Sequence, residues 1–138
     1  MPYLLYKNVG KALDWLAKAF GFVEFADRFE GKDGTIHHAA MQVSRGGEIF
    51  MMGRPGPKYK NPKMLRATTQ MLYIYVKNVD QHFTRAKRSG AKILRQPEDR
   101  FYGDRSYAAS DPEGHQWHFA QRVRNVSIEE MKRAVKKR

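Results

Sequence analysis

The 138 residues contain no cysteine, so any reactivity must come from five histidines and from Asp, Glu, Tyr, Ser, Lys and Arg. His118 lies in Gln116-Trp117-His118-Phe119-Ala120, where alternation puts its imidazole on one face with Gln116 and Ala120, and Trp117 and Phe119 on the other. In the run Ile36 to Val43, Met41 and Val43 suit the apolar side, which turns His38, Ala40 and Gln42 the opposite way. An imidazole half-buried on such a face suits a general base or a hydrogen-bonding group for a ligand, His118 being the candidate catalytic residue. The plainer role for either histidine is to satisfy a polar neighbour. Tyr73 and Tyr75 alternate with Leu72, Ile74 and Val76, and suit either stacking on an aromatic ligand or packing a wall. Met51 and Met71 fall on the same kind of face. The candidate ligand-binding set is therefore His38, Met51, Met71, Tyr73, Tyr75, Gln116 and His118. Asp104 and Arg105, beside a glycine turn, read as an ion pair that shapes a loop, and His37, His82 and His115 as structural or exposed. Gly-x-Ser-x-Gly, a phosphate-cradling glycine loop and His-Glu-x-x-His are all absent, which removes classical hydrolase and nucleotide-binding readings.

The elements that position these residues repeat. Tyr6-Lys7-Asn8-Val9 returns as Val76-Lys77-Asn78-Val79, each copy after an apolar strand-like run and before a helical pattern. In the first copy Leu13, Leu16, Ala17 and Phe20 follow Asn8 as cap, with Gly21 past the end; in the second Phe83 and Ala86 mark the face and Gly90 closes it. Short strands follow at Val23 to Phe29 and Ala91 to Arg95, then turns and two more strands. Gly46-Gly47-Glu48 and Glu113-Gly114-His115 open the final strand of each half. Each half reads strand, helix, strand, strand, strand, an α+β design of two tandem βαβββ modules over about 2–53 and 69–121, together one domain. The connector 54–68 holds Pro55, Pro57 and Pro62, a composition that predicts neither a helix nor a central strand. Beyond 121, Ser127 and Glu130 form a capping box ahead of the stripe Ile128, Met131, Val135, predicting a basic C-terminal helix that docks on its own protein or a second subunit. With a helix on one side of each sheet, the other side is left for a shared core or a ligand cup. A lining of Tyr, Met and His suits a cup.

The net charge of +12 raises polyanions as partners, but its location is uneven. Residues 53–67 carry five cations and no acid, and 122–138 carry seven cations against Glu129 and Glu130. The rest of the chain is close to neutral. These two segments read as a solvated linker and a solubilising tail; nucleic-acid binding through them is the rival, and predicts affinity that falls steeply with salt. No apolar run approaches a membrane span and no basic start precedes an apolar stretch, so a cytoplasmic protein that does not enter membranes is expected.

The doubled module, with Tyr102-Gly103-Asp104-Arg105-Ser106 and Asp111-Pro112-Glu113-Gly114-His115-Gln116-Trp117, resembles the vicinal-oxygen-chelate superfamily of glyoxalases, bleomycin-resistance proteins and extradiol dioxygenases over residues 2–121. The resemblance implies a U-shaped cup of mixed sheet in the glyoxalase/bleomycin-resistance fold, and a homodimer. Metal-using members place His, Gln or Glu on the first and last strand of each module. Carried over, those positions fall near Met1 and at Met51, Met71 and His118. Three thioethers are poor ligands for zinc, nickel, magnesium or iron(II), so no metal or other cofactor is expected. The resulting expectation is a protein that binds or sequesters an anionic or neutral aromatic small molecule. The alternative is a metal-dependent lyase, isomerase or dioxygenase using His118, with His38 across the cup.

Overall fold

The computed structural model describes all 138 residues. Module 1 runs β1 (Tyr3–Leu5), α1 (Val9–Phe20), β2 (Val23–Glu30), β3 (Ile36–Gln42), β4 (Ile49–Gly53). A short α2 (Pro62–Leu65) follows, then module 2: β5 (Met71–Tyr75), α3 (Val79–Arg88), β6 (Lys92–Asp99), β7 (Asp104–Ser110), β8 (Gln116–Arg122). A last helix, α4 (Ile128–Lys136), ends the chain. The sheets have matching orders, β1-β4-β3-β2 and β5-β8-β7-β6. In each the first strand pairs parallel with the last, and the remaining pairs are antiparallel.

The helices start and stop where side-chain chemistry allows. Asn8 and Asn78 are extended and accept from the N–H groups of Lys11 and Gln81, satisfying one orphan donor at each N-terminus. Gly21 takes the left-handed conformation after α1, which a Cβ would oppose. The connector departs from expectation, because Asn61 caps a single helical turn that begins at Pro62. Proline forbids a helix interior but not its first position, where its missing N–H has no intrahelical partner to lose. The second strand of module 2 also runs on to Asp99, past Pro97. As β6 is an edge strand, proline is tolerated there.

One core serves both modules. Phe22, Phe50, Trp117 and Phe119 are each 2% exposed or less, and each comes from the helix-facing side of its sheet or the segment entering it. Phe50 of sheet one lies 5.3 Å, ring to ring, from Trp117 of sheet two, and Phe20 at the end of α1 lies 4.7 Å from Phe119. Burial of each large side chain contributes about 2–3 kcal/mol. Polar bonds lock the junction: Trp15 Nε1 donates to the Ser89 carbonyl, and Arg85 donates to the carbonyls of Ala17 and Lys18 at the C-terminus of α1. His82 Nε2 sits 3.0 Å from the Phe20 carbonyl, and His115 Nε2 lies 2.8 Å from the Leu5 carbonyl. Both histidines are structural, as their sequence context indicates. Because the helix-covered sides meet at this core, the uncovered sheet faces point outward on opposite sides of the chain.

Candidate functional site

The outward face of sheet two carries Met71, Tyr73 and Tyr75 of β5 with Gln116 and His118 of β8, as alternation predicts. Leu72 and Ile74 pack on the core instead. Tyr73 pairs in register with His118, and their rings stack at 6.2 Å with 25° between planes. His118 is held below the ordinary imidazole range, first by burial and then by the positive charges of Arg95 and Arg100. It is therefore neutral near pH 7, able to donate from one ring nitrogen and accept at the other.

Asp104 is the site residue that sequence reasoning misplaced. It does not pair with Arg105, which instead binds Asp80 and Asp99 at the surface. Residues 104 and 105 are neighbours on β7, so their side chains leave opposite faces of the sheet. Asp104 is 1% exposed and accepts from the hydroxyls of Tyr73 at 2.7 Å and Tyr75 at 2.8 Å. Its other oxygen lies 3.1 Å from Arg122 Nε. Both phenols are pushed above their ordinary range, Tyr73 mainly by burial and Tyr75 mainly by the bond to Asp104. They remain protonated hydroxyls. Arg100 was also missed: its Nε donates to Ser106 Oγ and one terminal nitrogen to Glu98, while its second terminal nitrogen, Nη2, is buried with no partner. The visible signal was the period-two pattern Asp104, Ser106, Ala108, in which small and polar residues alternate with Arg105, Tyr107 and Ala109.

The outward face of sheet one is plainer. His38 Nδ1 lies 3.1 Å from the Tyr3 hydroxyl, and Phe29 stacks on the imidazole at 5.4 Å. Met51 pairs in register with Tyr3. Gly53 completes this arrangement, since a Cβ there would overlap the Tyr3 ring. The seven predicted residues thus divide, His38 and Met51 on one face and the other five on the opposite one. His38 and His118 do not meet within one chain. Three of the four positions that hold metal ligands in related proteins carry thioethers, and no three His, Asp or Glu residues gather anywhere. This donor set does not fit a hard or borderline divalent cation.

The profile of the Glyoxalase/Bleomycin resistance protein/Dioxygenase superfamily matches residues 3–119. The chain belongs to that superfamily. It is similar to the uncharacterized protein Rv0887c of Mycobacterium tuberculosis, 34% identical over 139 residues, covering 97% of this chain and 80% of that one. Among solved structures, TioX from Micromonospora sp. ML1 is 35% identical with a TM-score of 0.71, over 88% of this chain and 95% of TioX. TnmS3, described as an antibiotic binding protein from Streptomyces sp. CB03234, shares the fold at 19% identity and a TM-score of 0.68, over 88% and 92% of the two chains.

Proposed function

We propose that this protein binds an anionic small organic molecule with an aromatic body, on the outward face of sheet two, in a cup closed by a second copy of the chain and without a metal. The observation that carries this reading is the buried, unpartnered Nη2 of Arg100, in the turn after β6, whose Nε holds Ser106 on β7 and whose charge acts on His118. A desolvated guanidinium nitrogen without an acceptor is costly, and an anionic ligand oxygen supplies the acceptor. Arg95 and Arg100 add positive charge around a neutral His118, while Asp104 accepts from two phenols through one oxygen and faces Arg122 with the other, which is buried and takes no hydrogen bond. The Tyr73, Tyr75 and Tyr102 rings offer the apolar wall. A cup of these residues binds and orients; it holds no nucleophile or proton relay aimed at a common point, so sequestration is the role. The antibiotic-binding description of TnmS3, a protein of the same fold, is compatible with that role.

Both outward faces keep large side chains exposed, among them Phe29 at 63%, Tyr75 at 56% and Met71 at 54%. Such faces suit a partner sheet, and a homodimer would set the His38 face of one copy opposite the His118 face of the other.

The test is calorimetric titration of the untagged protein with 2-naphthoate and with 2-naphthylmethylamine, which share a ring system and differ in charge. Naphthoate is expected to bind at least tenfold more tightly, and Arg100→Gln to remove that preference. Equal affinities, or a preference untouched by Arg100→Gln, would refute the anionic reading. Native mass spectrometry showing one chelatable metal per chain would shift the protein to the metal-dependent alternative.

A further inference from the structure

The cation-rich connector packs against α1 and the turn before β8 rather than on the strands that carry Tyr73 and His118. Asn61 holds it in place, capping α2 with its side-chain oxygen and donating to Glu113 through its amide nitrogen. The connector thereby closes a cavity of about 870 Å³ against α1 and the turn before β8, remote from both outward sheet faces. Its floor is apolar, with Ala12, Trp15, Leu16 and Met64 among the lining residues. Around it stand Lys7, Lys11 and Lys18 from α1 and the segment before it, and Arg54 and Lys63 from the connector. None of these five cations takes part in an ion pair.

Carboxylates on the same walls offset part of this charge but form no ion pair with it, and cations outnumber them. Glu113 accepts from the backbone N–H groups of Lys7 and Asn8 and from the Asn61 amide. Asp111 accepts from the Tyr6 hydroxyl and the Trp117 indole. Only Asp14 among the lining acids is exposed and without such bonds.

We propose that this cleft is a second binding site, independent of the cup, for a small organic anion that carries an apolar body. The volume lies in the range of small-molecule sites, the floor accepts apolar surface, and the rim supplies unpaired positive charge. The chain's own tail does not fit, because Lys132, Arg133, Lys136, Lys137 and Arg138 carry the same sign as the rim.

Fluorescence titration with 8-anilinonaphthalene-1-sulfonate provides the test, using wild type, the Lys11→Glu/Lys63→Glu double variant and Arg100→Gln. Lys11 and Lys63 are exposed, so thermal melts of the double variant should match wild type within a few degrees. The expected result is two classes of saturable probe site, one weakened tenfold or more in the double variant and retained in Arg100→Gln, the other, in the cup, with the reverse pattern. Absence of saturable binding, or equal binding by wild type and the double variant, would overturn the assignment. Loss confined to Arg100→Gln would do the same, by placing the probe in the cup. A duplex oligonucleotide that displaces the probe, with affinity steeply dependent on salt and abolished in the double variant, would overturn the small-ligand class in favour of nucleic acid.

Discussion

At His82 the ring nitrogens have different duties. The Phe20 carbonyl only accepts, so Nε2 carries the proton, and Nδ1 accepts from the Tyr107 hydroxyl. Burial, aided by Arg85, pushes this histidine down to about 4 from its ordinary 6.5, against the opposing pull of the Phe20 bond. The unfolded chain takes up the proton first as pH falls. Stability is therefore full above about 6.5 and declines as pH falls toward 4, by about 3 kcal/mol from this group. His118, also lowered, acts with the same sign, whereas the raised carboxyl of Asp111 acts oppositely at the acid end. Urea midpoints measured from pH 7 to pH 4.5 should fall, and His82→Phe should flatten much of that slope even though it lowers stability overall. An unchanged slope in the variant would place the titration elsewhere. Residues of this kind show how far the sequence is legible. Alternation sorted Tyr73, Tyr75 and His118 correctly because side-chain direction in a strand depends only on parity. It could not locate the partners of Asp104 or Arg100, because Tyr73 and Tyr75 reach Asp104 from a strand about thirty residues away, through the register of β5 on β8 and β8 on β7.

Among the elements, the start of β7 depends on Gly103. Its φ of +101° is a glycine conformation, and a Cβ there would overlap the backbone carbonyl of Arg124. Its own carbonyl accepts from the N–H groups of Val123 and Arg124, which fastens the end of β8 to the loop carrying Tyr102. Backbone cannot turn aside as a side chain can. Gly103→Ala is expected to cost about 2 kcal/mol or more, read as a lowered urea midpoint. Gly34→Ala supplies the comparison, having a similar left-handed backbone at φ +81° but open space around it. If both cost the same, conformational preference alone is responsible and the contact with Arg124 contributes nothing. The repeated caps at Asn8 and Asn78 were readable because they are local. The helical turn at Pro62 and the extension of β6 were not, since one depends on the contact of Asn61 with Glu113 and the other on an edge position fixed by the rest of the sheet.

For the molecule as a whole, the doubled pattern revealed two modules but not which sides of them meet. That choice follows from the aromatic cluster around Phe20, Phe50 and Trp117, whose members come from both halves. Sedimentation equilibrium at micromolar concentration should give twice the 16.1 kDa chain mass, as the proposed cup requires. A monomer throughout that range would leave each outward face a half-site and remove the second copy from the proposal.

The Asp111–His115 turn also governs the order in which the chain can be completed during synthesis. Tyr6 finds its acceptor 105 residues later, and the N–H groups of Lys7 and Asn8 find theirs in Glu113. A nascent chain that ends after β4 has every residue of the first module yet leaves these donors in water and the Leu5 carbonyl without His115. Helix formation and pairing of β1 with β4 can proceed early, but the segment that joins β1 to α1 stays unfinished until the turn before β8 has been made. Translation thus delivers the first half before it can be finished, and its closure falls to the last strands to emerge.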